Sequence, residues 1–321
     1  MERREFIKVA SVAACAAALL PSLGGLATGC TRPFAIDGGH EGDNGKRDFD
    51  EIIDRSGTWS IKHERATEGQ IPMWIADMDF RTAPAVSSAL KERLSRDALG
   101  YTMTPKEYYQ SIIGWEKEMH GWKVEKEWVA YCLGVITSIN QAYLTFTNSG
   151  DSIIVMPPVY NLFRMYAERL GRNVIDNPLL FDGERYRMDL NGLERLLSDT
   201  DAKMLVLCNP HNLAGVVWDS DALRRVASLC RQKGVIVISD EIHADPTLPG
   251  YKAIPPQASF LVWLDCRAMG LSQEALMKFF SDQAGLLLSN GDMYGQGGEG
   301  FVRMNIGCPR SVVKEALERI L

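Results

Sequence analysis

The chain has 321 residues, 46% of them hydrophobic and 24% charged. That is an ordinary globular composition, long enough for one large domain and one small one. The formal net charge of −6 excludes the basic footprint of a nucleic-acid binder.

Residues 1–30 differ from the rest. Arg3-Arg4-Glu5-Phe6-Ile7-Lys8 precedes an apolar, Ala-rich run from Val9 to Leu20, and Leu26-Ala27-Thr28-Gly29-Cys30 closes the segment. This resembles a bacterial twin-arginine export signal with a lipobox-like cysteine. It implies an exported protein, either cleaved and periplasmic or held at the membrane through a lipid on Cys30. The run is too short to predict a membrane span, and no other segment is long enough. Beyond Cys15 and Cys30 lie Cys132, Cys208, Cys230, Cys266 and Cys308, with no C-x-x-C spacing. They predict buried free thiols, not a disulfide framework.

Residues 31–47 are rich in Gly and Asp and predict a linker. Residues 48–83 form an N-terminal arm. Apolar spacing predicts helices over Pro84–Ser95, Pro105–His120 and Gly134–Asn148, the second with Tyr109, Ile112, Ile113 and Trp115 on its apolar side. Short buried strands are predicted at Asp151–Met156 and Lys203–Cys208. An amphipathic helix, Ser220–Lys233, is capped by Gly234 and followed by a strand, Val235–Ser239. Strand and helix alternate, which predicts a parallel sheet with crossover helices. The tail reads as a small α+β domain: strand Ser259–Asp265, helix Ser272–Gln283, strand Ala284–Ser289, a Gly-rich loop Gly291–Gly300, strand Phe301–Gly307 and helix Ser311–Leu321.

Three strand or turn ends carry polar groups suited to a ligand. The Gly134 turn opens a helix whose free N–H groups suit a phosphate. Asn209-Pro-His-Asn-Leu-Ala-Gly215 places polar side chains in a loop after a buried strand. Asp240-Glu-Ile-His243 follows four β-branched residues, at the strand end where α/β sheets bind ligands. A carboxylate buried there needs a cation. Each has a plainer alternative: a helix start, an Asn turn and an acidic helix cap. Gly295-Gln-Gly-Gly-Glu-Gly300 matches G-x-G-x-x-G, yet too little chain follows for a dinucleotide-binding unit. Ser311-Val-Val-Lys314 matches S-x-x-K without its partner motifs. The five histidines have no metal-ligand spacing.

Together these motifs resemble the fold-type-I aminotransferase superfamily, which uses pyridoxal 5′-phosphate (PLP), and more narrowly its cystathionine β-lyase-like (C–S lyase) branch. The narrower likeness rests on Arg55-Ser-Gly-Thr58 with Lys62, Met73-Trp-Ile-Ala-Asp-Met-Asp-Phe80, Gly100-Tyr-Thr102, Pro157-Pro-Val-Tyr160, Asp240-Glu-Ile-His243, Phe301-Val-Arg-Met-Asn305 and Cys308-Pro-Arg310. The resemblance implies an α/β, three-layer, parallel-type PLP-binding major domain at 84–256, truncated, and a small α+β domain at 257–321. It implies backbone contacts from Val135 and Ile136 to the cofactor phosphate, Tyr160 stacked on the ring, Asn212 on the ring hydroxyl with His243 beside it, and Asp240 on the ring nitrogen. Arg303 would grip the substrate carboxylate, with Trp74 and Asp77 near the entrance. Tyr101 would reach the phosphate of a neighbouring subunit, hence a homodimer.

The chain departs from the family after Lys252. Tyr251-Lys-Ala-Ile-Pro255 passes straight to Ser259–Asp265, where relatives interpose a block holding two sheet strands and the lysine that forms the Schiff base with PLP. Lys252 matches a loop lysine of the family and is the nearest substitute. The resemblance also places the two lost strands between Val235–Ser239 and the strand after the Gly134 helix, so two apolar sheet edges are expected to open. Three functions follow: a C–S β-lyase cleaving S-substituted cysteines to thiol, pyruvate and ammonia; a non-catalytic remnant or incomplete gene product that at most binds PLP; or a class I/II aminotransferase.

Overall fold

A computed structural model describes residues 48–244 and 258–320. The export signal with Cys30, the linker at 31–47 and Lys252 lie outside the described residues. In chain order the elements begin with α1 (Ile61–Glu64), β1 (Ile71–Pro72), α2 (Pro84–Leu94), α3 (Lys106–His120) and α4 (Val135–Phe146). Next come β2 (Ser152–Val155), α5 (Leu162–Arg169), β3 (Asn173–Asp176), the pair β4 (Leu180–Phe181) and β5 (Tyr186–Arg187), α6 (Leu190–Asp199), β6 (Ala202–Cys208), α7 (Ser220–Lys233) and β7 (Ile236–Asp240). The last part holds β8 (Leu261–Asp265), α8 (Gln273–Lys278), β9 (Leu286–Leu287), β10 (Ser289–Asn290), β11 (Phe301–Asn305) and α9 (Arg310–Ile320). Two compact units result, one of residues 54–79 with 132–320, the other of 48–53 with 80–131.

In the first unit, β3-β2-β6-β7 form a parallel sheet. Alternate residues of each strand face opposite sides. Ile154, Leu205 and Leu207 pack on Leu193 and Leu197 of α6 and on Val226, Leu229 and Cys230 of α7. Ile153, Val155, Met204, Val206 and Ile238 pack on Ile139 and Tyr143 of α4 and on Phe163 and Ala167 of α5. Helices therefore cover both faces, the three-layer α/β arrangement expected, and this is why β2 and β6 are almost wholly apolar. Local chemistry sets the helix ends. Asp219 caps α7 by accepting from the Ala222 N–H at 2.8 Å, and Gly234 ends it at φ 69°. Asp189 caps α6 through the Gly192 N–H at 2.7 Å.

One expectation about the sheet is corrected. The strand after the Gly134 helix, β2, lies between β3 and β6, and it is β6 that pairs with β7 in the register Cys208↔Asp240. The lost strands therefore cannot have stood between β7 and β2. Among the described residues β7 has a strand partner on one side only, so the loss opens one edge there, not two. The reason is topological: β2 already has β3 and β6 as neighbours, and β6 has β2 and β7.

The tail forms the antiparallel sheet β10-β11-β8, backed by α8 and α9 around Leu276, Phe280, Leu286, Val302, Met304 and Ala316. Part of the N-terminal arm joins it. β1 pairs in parallel with β9, Met73 is buried in this core, and the Asn305 N–H donates to the Met73 carbonyl at 2.8 Å. The Gly-rich loop has a packing cause: a Cβ on Gly291 or Gly298 would collide with the backbone of the other. Cys208, Cys230 and Cys308 are buried free thiols, while Cys132 and Cys266 are only half-buried.

In the second unit α3 buries Ile112 alone of its expected apolar face; Tyr109, Ile113 and Trp115 are half-buried. Phe49 and Phe80 meet edge to face at 5.4 Å.

Leu205 is fully buried between β6 and the α6–α7 layer. Leu205→Ala is expected to lower the unfolding free energy by about 2–5 kcal/mol, measured by urea titration.

Candidate active site

The carboxyl ends of β2, β6 and β7 deliver the polar residues. β2 runs into Pro157-Pro158 and Tyr160, β6 into Asn209 and Asn212, and β7 ends on Asp240. Asp240 is 5% exposed. Its carboxylate accepts from the Ile242 N–H at 3.1 Å, and no cation among the described residues forms an ion pair with it. Burial pushes its pKa up, the Ile242 N–H opposes this, and Glu241 adds to the rise. Beside it in register lies Cys208, whose thiol pKa is also raised, by burial and then by Asp240.

Asn212 is held by a tight loop. Its N–H donates to the Cys208 thiol sulfur at 3.3 Å, and the His211 N–H donates to the Val216 carbonyl at 2.8 Å. Leu213 next to it is fully buried at φ 125°, a conformation costly for a branched residue and typical of over-determined sites. The Asn212 side-chain oxygen accepts from Arg303 Nη1 at 3.2 Å, so its amide nitrogen is the donor left for a ligand.

Arg303 comes from β11 and is 5% exposed. Its Nη2 donates to the Trp74 carbonyl at 2.7 Å and to Ser289 Oγ at 3.3 Å. The guanidinium lies over the Tyr294 ring at 5.2 Å. Burial lowers its pKa, while Tyr294 and Tyr160 oppose the shift. Its Nε–H is buried without an acceptor. Tyr160 is half-buried; burial raises its phenol pKa, Arg303 lowers it, and Tyr294 and Asp240 raise it. His243 Nδ1 meets Ser259 Oγ at 3.2 Å, and burial, then Arg303, push its pKa down to about 4.

Val135 and Ile136 open α4. Gly134 caps it at φ 101° with no side-chain bond to the helix. The first-turn N–H groups of such a helix have no intrahelical acceptor and suit an anion. Gly134 is required by its left-handed backbone. Trp74 enters the site through its carbonyl oxygen; its indole N–H instead donates to the Lys62 carbonyl at 3.0 Å. Asp77 pairs with Arg55 at 3.0 Å. Tyr101 belongs to the second unit and is exposed.

Ser289, Tyr294 and His211 were not singled out from the sequence. Ser289 and Tyr294 sit in or beside the Gly-rich loop, and no local pattern ties them to Arg303. His211 is buried, its Nε2 has no partner, and burial, then His243, push its pKa down to about 3. Its place in Asn209-Pro-His-Asn was the available signal.

The site has an acceptor-only acid without a cation, an arginine with an unused donor, and a helix start with free N–H groups. Those donors and acceptors fit a phosphorylated pyridinium with an attached carboxylate. The comparisons agree. The fold matches a PLP-bound protein of Clostridium difficile 630 with a TM-score of 0.80 and 28% identity, covering 86% of this chain and 99% of that one. It matches cystalysin of Treponema denticola, which contains PLP, with a TM-score of 0.80 at 24% identity over 86% and 98% of the two chains. Residues 68–250 match the family described as aminotransferase class I and II. Cystathionine β-lyase PatB of Bacillus subtilis is 30% identical over 85% of this chain and 98% of that enzyme. The chain belongs to the class I and II aminotransferase family, in the branch that includes this cystathionine β-lyase.

The match to PatB runs over 380 residues, more than the 321 of this chain. The relative therefore carries residues that this chain skips. The family match stops at residue 250, next to the junction noted in the sequence.

His211 and His243 are buried neutral, with folded pKa values near 3 and 4 against an ordinary 6.5. The unfolded chain binds protons first as pH falls, so the contribution of these histidines to stability is complete above pH 6.5 and is lost as pH falls through about 4 and about 3. The melting temperature is expected to drop across that window, and His211→Asn to flatten the drop whatever its effect at neutral pH. An unchanged slope in a thermal melt series would contradict this.

Proposed function

We propose that the chain is a PLP-binding C–S β-lyase of the cystathionine β-lyase type, acting on cystathionine or another S-substituted cysteine. The observation that carries this is the buried Asp240 at the end of β7, which has no ion-pair partner among the described residues, in a chain that spans 98% of PatB.

PLP, when bound, supplies an electron sink that acidifies the Cα–H bond of an attached amino acid. Asp240 would keep the ring nitrogen protonated, and the pyridinium would give that buried carboxylate its missing cation. The α4 start, with Val135 and Ile136, would hold the phosphate through backbone N–H groups. Tyr160 would stack on the ring. Asn212, with His243 near it, would donate to the ring hydroxyl. Arg303 would take the substrate α-carboxylate in its planar fork. Trp74 and Asp77 would border the entrance.

The resemblance puts the cofactor-bearing lysine, which also takes the Cα proton, in the skipped block. Lys62, the buried lysine among the described residues, is committed to Asp79 at 2.6 Å. This favours a second reading: the chain holds PLP and an amino acid through Asp240, Asn212 and Arg303 without turnover. Lys252 is the nearest substitute in sequence. Purified protein with added PLP and L-cystathionine separates the two. Thiol and pyruvate release, with borohydride fixing the cofactor to a lysine peptide, supports the lyase. Saturable PLP binding without release supports the second reading, and no PLP binding ends both. Asp240→Asn is expected to weaken PLP binding by about tenfold or more, because the buried ring charge loses its partner.

The protein acts as a homodimer in this proposal, with Tyr101 reaching the neighbour's phosphate. Exposed apolar side chains support a covered surface: Trp59 and Leu133 in the first unit, Tyr101 and Met103 in the second. Sedimentation is expected to show a dimer that Tyr101→Phe leaves intact while weakening PLP binding. The export reading of Met1–Cys30 places it outside the cytoplasmic membrane, free or lipid-anchored. Among the described residues no helix is long and apolar enough to cross a membrane.

A further inference from the structure

Lys62 is completely buried, at 0% exposure. Its ammonium donates to Asp79 Oδ2 at 2.6 Å and to the Asp77 carbonyl at 2.8 Å. The other Asp79 oxygen takes His63 Nε2 at 2.9 Å and Arg55 Nη1 at 3.2 Å. Removing an ammonium and a carboxylate from water is costly, and well-packed apolar residues in their place are often as stable or more so. Stability alone therefore gives little reason for a lysine here.

What an ammonium does that a methyl cannot is reach two acceptors on the segment 73–79 and fix its path. That segment is also held from the other side. Asn305 Nδ2 donates to the Ile75 and Asp77 carbonyls, and the Asp79 N–H donates to the Gly307 carbonyl at 2.8 Å. The Trp74 indole closes the loop by donating to the backbone carbonyl of Lys62 itself at 3.0 Å. The product of this clamp is one carbonyl oxygen, that of Trp74, which accepts from Ser289 Oγ at 2.6 Å and from Arg303 Nη2 at 2.7 Å. With Nη2 anchored there and Nη1 on Asn212, the Nε–H is the donor left without a partner.

The geometry points to Lys62 as a positioning residue for Arg303: it sets the Trp74 carbonyl that turns the guanidinium toward a ligand carboxylate. This rests on the role given to Arg303 under the proposed function. The test compares two probes on the full chain loaded with PLP, by calorimetry: S-ethyl-L-cysteine and its decarboxylated analogue. The wild type prefers the carboxylate-bearing probe. Lys62→Met is expected to cut that preference by about tenfold to a hundredfold, as small misplacements of a binding group do, while affinity for the decarboxylated amine stays the same. Equal losses for both probes, or no loss, overturn the inference. Should Lys62→Met not fold, Trp74→Phe keeps the ring bulk and removes the tie to Lys62; a preserved preference there overturns the inference equally. If the wild type shows no preference, the carboxylate role of Arg303 falls and the inference with it. If the wild-type preference survives in the variants, the inference falls alone.

Discussion

A carboxylate buried at the end of a parallel strand, with no ion-pair partner among the described residues, is the constraint around which this site is arranged. Asp240 is nearly inaccessible and its pKa is raised by that burial. An isolated charge in such a place is unfavourable, so the group is either neutral or waiting for a positive partner. The neighbouring groups are tuned in the same sense. Burial holds His211 and His243 neutral, and burial with Asp240 holds the Cys208 thiol protonated. Arg303, the buried arginine of this site, is turned to a carbonyl, a hydroxyl and an amide rather than to Asp240. The acid and the arginine therefore form no ion pair with each other.

The N-terminal arm shows how that separation is maintained. Residues 73–79 lie against β11 through backbone and Asn305 contacts, and against α1 through Lys62. A buried ion pair of this kind adds little net stability. It does select one path for the segment, and that path decides which backbone oxygen Arg303 meets. The arm, far from Arg303 in sequence, is part of the surroundings of Arg303 for this reason.

Much of this was legible beforehand. The alternation of strand and helix, the cap at Gly234, and the strand that leads to Asp240 are local patterns, and the structure repeats them. The order of the sheet was not legible. Hydrophobic runs say that a strand is buried on both faces, but not which strand lies beside it. That is why β6, not an empty gap, stands between β2 and β7. The strands β3, β4 and β5 are too short to show a period, whereas α6 carried a readable signal, Leu190, Leu193, Leu196 and Leu197 at helical spacing after the Asp189 cap, that the sequence reading passed over. Ser289 and Tyr294 were invisible for another reason: each touches Arg303 only because β10 and the Gly-rich loop fold back on β11.

By itself the sequence determined the class of fold, the family, the three strand and turn ends that carry polar groups, and the junction after Lys252 where relatives carry more chain. These depend on short-range spacing and on residue chemistry. Only the tertiary structure decided that Asp240 is buried with no ion-pair partner among the described residues, that the Asn212 oxygen is taken by Arg303, and that Lys62 lies fully buried against the segment whose Trp74 carbonyl meets Arg303. Burial and hydrogen-bond partners are properties of what surrounds a group, and those surroundings are assembled from residues far apart in the chain.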